Sequence, residues 1–250
     1  MELRRVGPAA LVGAVGLAAL VDPVAAQAAA DTTTEALIND LNSLLLYLAI
    51  PIAVLVEGIL IYTVWKYRKN DEAKPTKENR RLEIGWTIAT AIILVAVGIG
   101  AYTVMANPYV SAQSDQALDE QQEPIEIKVV AQKYFWSFEY PNETVREITG
   151  NESATSFSNS NTLVMPTDRP VELNITSRDW LHAFHVPDMG LKQDAFPGQW
   201  NTLLTKANNE GEFQLYCAEY CGAGHSNMLG AVDVRSQEDF EEWVGNQTGG

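Results

Sequence analysis

The sequence predicts a membrane-anchored all-β protein, in which a two-helix transmembrane hairpin is followed by a β-sandwich or Greek-key barrel outside the cytoplasm. Three observations predict it. Two apolar runs of about 20 residues, the length that crosses a bilayer, lie close together in the first half of the chain. A short loop rich in Lys and Arg joins them. From residue 125 onward, short alternating segments follow one another between turn residues.

Residues 1–30 read as a secretory signal. Arg4 and Arg5 precede the apolar stretch Pro8 to Leu20, and the small-residue tract Val24-Ala25-Ala26-Gln27-Ala28-Ala29-Ala30 closes it. Residues 31–107 hold the hairpin. Its first span, Leu44 to Trp65, contains one charge, Glu57, and its second, Ile84 to Ala106, contains none. Tyr47, Tyr62, Trp65, Trp86 and Tyr102 near the span ends suit interfacial aromatic belts. The loop 66–83 carries Lys66, Arg68, Lys69, Lys74, Lys77, Arg80 and Arg81. Short loops of this kind stay cytoplasmic, so both hairpin ends lie outside, as an exported N-terminus also requires. A lone carboxylate in lipid is costly, and Glu57 therefore points to a contact with another membrane subunit.

The polar segment 108–124, including SAQSDQALDEQQEP, reads as a linker. In residues 125–250, IEIKVVA, the aromatic run Tyr134 to Tyr140, VELNITS, NTLLTKA, EFQLYC and LGAVDVR read as strands. Pro141-Asn142, Pro166-Thr167, Pro197-Gly198 and Asn208-Asn209 read as turns, and SQEDFEEWVGN as a short terminal helix. From Pro108 onward, 22 acidic against eight basic side chains account for −14 of the chain's formal charge of −15. Such a surface opposes nucleic acid, and the even spread of its acids suits a medium salty enough to screen them.

The only two cysteines fall in CAEYCGAGHSNM, residues 217–228. Outside the cytoplasm a disulfide is the default for two thiols, but a bridge four residues apart closes a very small loop and leaves His225 and Met228 unexplained. Structural zinc favours paired Cys or His clips and does not recruit a thioether. Soft sulfur ligands together with imidazole suit copper. A single blue-copper ion needs one thiolate, so two thiolates point to a pair of bridged ions and call for a second imidazole. His182 and His185 in RDWLHAFHVPDMG are the remaining histidines. Alternation sets them on opposite faces and does not choose between them.

LHAFHVPDMGLKQDAFPG and CAEYCGAGHSNMLG together resemble subunit II of the haem-copper cytochrome c oxidases. The C-x-E-x-C-x3-H-x2-M spacing is specific, and the likeness runs from signal through hairpin and aromatic strand to the last domain. The resemblance implies a cupredoxin-like domain with a binuclear CuA centre. Cys217 and Cys221 would be its bridging thiolates, His182, His225 and Met228 its other side-chain ligands, and Glu219 a ligand through its backbone carbonyl. The Glu219 side chain would reach a magnesium ion shared with subunit I, and His185 would hold no metal. Lys192, Asp194 and Glu57 would face subunit I.

The resemblance further implies electron transfer from a soluble donor to haem in subunit I, which reduces oxygen at haem and CuB. AQKYFWSFEYP resembles the family's aromatic stretch, with Tyr134, Phe135 and Trp136 as the residues where the electron enters and Phe138, Glu139 and Tyr140 aligned beyond them. Tyr134 stands where many members have tryptophan, which suits a small halocyanin-like copper protein as donor besides a cytochrome c. Two other roles use similar parts: electron input to a nitric oxide reductase, and a membrane-tethered copper carrier.

Overall fold

The structure, a computed structural model, describes residues 30–72, 75, 77–111 and 123–248. The signal reading of residues 1–29 and most of the linker, 112–122, lie outside the described residues. From Asp31 onward the chain is one compact unit.

Helix α1 spans Thr33–Tyr67, 35 residues, and α2 spans Arg80–Met105, 26 residues; among the described residues these two are long and apolar enough to cross a membrane. At about 1.5 Å per residue α1 is roughly 50 Å long, well beyond a hydrocarbon core of about 30 Å. Its extra turns lie before Leu44, where Glu35, Asn39 and Asp40 continue the helix in polar sequence. A hydropathy reading sees the lipid-spanning part and misses the capped start. Thr32 is the N-cap, accepting from the Glu35 N–H at 3.0 Å. The same Thr32 hydroxyl donates to the Met189 carbonyl at 2.7 Å, and the Thr33 N–H donates to the Lys206 carbonyl at 3.0 Å. Thr34 Oγ1 donates to the Tyr109 carbonyl at 2.9 Å, so the outer ends of both helices are tied together and α1 to the β domain.

That domain is a sandwich of two five-stranded sheets. The first, in the order β3-β2-β1-β5-β8, contains β1 (Ile125–Gln132), β2 (Phe135–Tyr140), β3 (Phe157–Ser160), β5 (Val171–Ser177) and β8 (Asn201–Thr205). The second, β4-β10-β9-β6-β7, contains β4 (Thr162–Pro166), β6 (His182–Val186), β7 (Leu191–Ala195), β9 (Gly211–Cys217) and β10 (Leu229–Arg235). Inward residues alternate along the strands: Trp136, Phe138 and Tyr140 of β2 are fully buried and meet Leu163, Met165 and Phe184 in the core. Helix α3 spans Asn142–Thr149, and α4 spans Gln237–Thr248. Ser236 caps α4 by accepting from the Asp239 N–H at 3.1 Å, and Phe240 and Val244 close the end of the core.

One sequence reading is corrected. Pro141-Asn142 does not make a simple turn: Pro141 is the N-cap of α3, a place where its fixed φ and missing N–H cost nothing. The segment around His182 and His185 forms β6, a strand of the sheet opposite β5. Pairing between β6 and β9 sets Phe184 opposite Cys217 and His185 opposite Tyr216, which carries β6 to the cysteine loop.

The sheets are also joined by Tyr140, whose hydroxyl donates to the Val164 carbonyl at 2.7 Å and accepts from the Val164 N–H at 2.9 Å. Burial pushes this phenol's pKa up, so it stays protonated. Tyr140→Phe leaves both buried Val164 groups without that partner. We expect a loss of about 1–3 kcal/mol of stability, read from denaturant unfolding of wild type and variant side by side.

Candidate metal centre

One end of the sandwich gathers the two thiols, two imidazoles and the thioether. Cys217 ends β9, and the chain then turns through Cys221 and a 3₁₀ turn, His225–Asn227, before β10 begins at Leu229. This loop brings Met228 back beside the cysteines, with the Cys217 N–H donating to the Met228 carbonyl at 3.1 Å. The Ala218 N–H donates to the Ala183 carbonyl at 3.0 Å and holds β6 against the loop.

Both cysteines are free and buried, with their sulfurs 4.0 Å apart. That is about twice a disulfide bond length. His182 Nδ1 lies 3.8 Å from Cys217 Sγ, and His225 Nδ1 lies 3.7 Å from Cys221 Sγ. Met228 Sδ is 3.9 Å from Cys221 Sγ, and the Glu219 carbonyl oxygen is 3.1 Å from Cys217 Sγ. His182, Cys217 and Cys221 offer ligand atoms all within 4.8 Å of one another. His182 and Met228 have no exposed surface.

Electrostatics splits the two thiols. Burial alone would push the Cys217 pKa up, but hydrogen bonding to His182 and to the backbone at Ala183 and Glu219 outweighs it and brings the value down to about 6. Burial and the neighbouring Cys217 charge push Cys221 up to about 11. Burial opposes protonation of His182, but its bonds to Cys217 and Asp179 prevail and raise its pKa.

Asp179 is a residue the sequence reading missed. Its Oδ1 accepts from His182 Nε2 at 2.9 Å and from the Trp180 N–H at 2.7 Å, and its Oδ2 accepts from the Lys133 N–H at 2.9 Å. An imidazole that gives its Nε2 proton to a carboxylate turns an unprotonated Nδ1 toward the thiols, an arrangement common behind metal-ligating histidines. The signal was present in the spacing Asp179-x-x-His182.

The other expected site residues are scattered. Glu219 has an exposed side chain beside the centre. His185 is half-buried, with Nδ1 bonded to the Leu191 carbonyl at 2.9 Å and its ring edge-on to Tyr216 at 5.0 Å. Trp136 is fully buried, edge-on to His182 at 6.4 Å, so a surface donor cannot touch it; alternation along β2 turns it inward. Phe135 is half-buried, and Tyr134 is 37% exposed. Tyr134 lies over the cysteine loop, where a Cβ on Gly224 would come within 2.5 Å of its ring. Lys192 and Asp194 lie two apart on β7, an edge strand, and Glu57 is exposed on α1.

Comparison with known proteins gives one family. Its two domain models, described as cytochrome C oxidase subunit II, transmembrane domain and periplasmic domain, match residues 22–104 and 125–234. The cytochrome c oxidase subunit 2 of Cereibacter sphaeroides is 27% identical over 266 residues, covering 95% of this chain and 82% of its own length. A probable cytochrome c oxidase subunit 2 of Rickettsia bellii is 29% identical over 223 residues, covering 84% and 79%. The crystal structure of the periplasmic domain of subunit II of cytochrome oxidase of Bradyrhizobium japonicum is 27% identical, with a TM-score of 0.43, and covers 50% of this chain and 94% of that one.

Proposed function

The chain belongs to the cytochrome c oxidase subunit II family, membrane-anchored with an extracytoplasmic copper-binding domain, and from that premise we propose that this domain holds a binuclear copper centre and accepts electrons for the oxidase. The observation that carries the reading is the pair of free thiols 4.0 Å apart, each with an imidazole Nδ1 within 3.8 Å. Two thiols at this separation, each beside an imidazole, would hold a pair of soft metal ions.

The donor set fits copper. Cys217 and Cys221 would bridge, His182 and His225 would each bind one ion, and the Met228 thioether and the Glu219 carbonyl would complete the site. When bound, the copper pair supplies one-electron transfer between a soluble donor and the haem of subunit I. The protein's part is to hold these ligands fixed in a buried pocket, so that little has to move when the charge changes. The Glu219 carboxylate, free at the surface, is suited to a magnesium ion shared with subunit I. Lys192, Asp194 and Glu57 are suited to contacts with that subunit, Glu57 because an unpartnered carboxylate in lipid calls for one.

The test is copper analysis with electron paramagnetic resonance on the full chain in detergent. Two coppers per chain and hyperfine structure from one electron shared between them are expected. A localised single-copper signal would overturn the binuclear reading.

Copper uptake should also strengthen with pH. Between about pH 6 and 11 the metal-free pair holds one thiolate, Cys217, and one thiol, Cys221. Since both must ionise to bridge, binding releases the Cys221 proton, and affinity rises by about tenfold per pH unit for each proton released. Toward and below 6, protons on Cys217 and on His182, whose pKa is raised, must also be released, and they steepen the fall. Chelator-competition titrations across the neutral range check the slope, and a flat profile would contradict it.

A further inference from the structure

The extracytoplasmic domain carries four Asn-x-Ser/Thr triplets, beginning at Asn142, Asn151, Asn174 and Asn246. Outside the cytoplasm such a triplet can accept an N-linked sugar on a surface loop, provided that both its carboxamide and its hydroxyl can be reached. The structure separates the four.

Three have one or both groups committed. Asn174 stands on β5, between β1 and β8. Its Nδ2 donates to Glu126 Oε1 at 3.2 Å and to Glu172 Oε1 at 3.0 Å, and its Oδ1 accepts from the Thr202 hydroxyl at 2.9 Å. The hydroxyl of that triplet, on buried Thr176, donates to the Gln199 carbonyl at 2.7 Å. Asn142 opens α3, where its Oδ1 accepts from the Ser156 N–H at 2.6 Å, and buried Thr144 donates to the Glu126 carbonyl at 3.0 Å. Asn246 is exposed but lies within α4, where Thr248 Oγ1 turns back to the Gly245 and Val244 carbonyls at 3.2 Å and 3.4 Å. Helical residues two apart do not face each other, so this carboxamide and hydroxyl are not presented together.

Asn151 differs on every count. It follows Gly150, whose φ of +64° ends α3 and turns the chain outward, and Asn151, Glu152 and Ser153 are all exposed. Asn151 Oδ1 accepts from the Ser153 N–H at 3.0 Å, a local turn that brings the serine round beside the carboxamide. The Ala154 N–H donates to the Asn151 carbonyl at 3.0 Å, and buried Ala154 anchors the turn on the core. Among the described residues, neither Asn151 Nδ2 nor Ser153 Oγ has a hydrogen-bond partner. Strand β2 starts next to Tyr134, which lies over the cysteine loop, and runs away from it to Tyr140 and α3, so Asn151 stands at the far end of the sandwich from the thiols.

We propose that Asn151 is a glycosylation site, its Nδ2 accepting an oligosaccharide from a polyprenyl-linked sugar phosphate at the outer face of the membrane. A C–N bond forms between Nδ2 and the anomeric carbon of the sugar, and the C–O bond from that carbon to the phosphate breaks. The lipid phosphate leaves with the bonding electrons, and Nδ2 gives up one proton to a base of the transferase. The inference rests on the extracytoplasmic placement of the domain and is independent of the copper reading.

The experiment uses the full chain made in its own cells and purified in detergent with the oxidase. Peptide mass spectrometry with electron-transfer fragmentation, which assigns a sugar to one side chain, should find it on Asn151. Asn151→Gln and Ser153→Ala should each lose it completely, while Ser153→Thr and Asn246→Gln should keep it. Far-ultraviolet circular dichroism should stay as in wild type throughout, because the exchanged side chains are exposed. An unmodified Asn151 in the wild-type chain, a sugar on Asn246 in its place, or a sugar that persists at Asn151 in Ser153→Ala would overturn the proposal.

Discussion

Replacing Cys217 with serine should take the protein from two coppers to at most one. Cys217 Sγ stands at the middle of the ligand set, 3.8 Å from His182 Nδ1, 4.0 Å from Cys221 Sγ and 3.1 Å from the Glu219 carbonyl. Its pKa, held down to about 6, makes it the sulfur already ionised at neutral pH and ready to take metal. A serine hydroxyl is hard, does not ionise in this range and cannot bridge two soft ions. The loss in affinity should exceed the ~10–100-fold that follows from removing an outer-shell partner. Serine differs from cysteine by one atom, so the sandwich should still fold, which far-ultraviolet circular dichroism would verify. Metal analysis and electron paramagnetic resonance then decide the matter: a full two-copper load with shared valence in Cys217→Ser would sink the bridging assignment.

How much of this was legible in the sequence depends on whether the determinant was local. VELNITS alternates cleanly, and β5 runs Val171–Ser177 as its pattern predicts. HAFHV hid its strand because four of its five residues are buried, leaving no alternation to read. The start of α1 was invisible to hydropathy because a cap and polar turns, not lipid, hold it. Helix α3, NETVREIT, is amphipathic, but at eight residues it is too short to stand out against the turn that Pro141-Asn142 suggested.

In the candidate site, Cys217, Cys221, His225 and Met228 are close in sequence, so their spacing alone announced a cluster. His182 against His185 was a tertiary question. The pairing of β6 with β9 buries His182 beside the thiols and turns His185 toward Leu191 and Tyr216. Asp179 went unnoticed because a carboxylate in a loop signifies little until the hydrogen bond that joins it to His182 is known.

Asp179→Ala should be the next most damaging change, although Asp179 would touch no metal. Its carboxylate is the hub of four donors: the Lys133 N–H from the β1–β2 turn, the Trp180 N–H, the His182 ring and, at 3.4 Å, the Ser177 hydroxyl. Partial burial opposes the charged form, but these bonds outweigh it and hold the Asp179 pKa below its usual value. Without the carboxylate, the His182 ring loses the acceptor that fixes its tautomer and orientation, and Nδ1 no longer points reliably at the thiols. Copper affinity should fall by about 10–100-fold, with altered hyperfine coupling from the loosened imidazole. Asp179→Asn should recover part of the loss, because its amide oxygen can still accept from Nε2. Damage confined to stability would reflect only the lost Lys133 and Trp180 N–H bonds, which are exposed and worth about 0.5–1.5 kcal/mol each. Chelator-competition titration separates the two effects: native copper affinity and an unchanged resonance in Asp179→Ala would show that His182 is held by the packing of β6 alone.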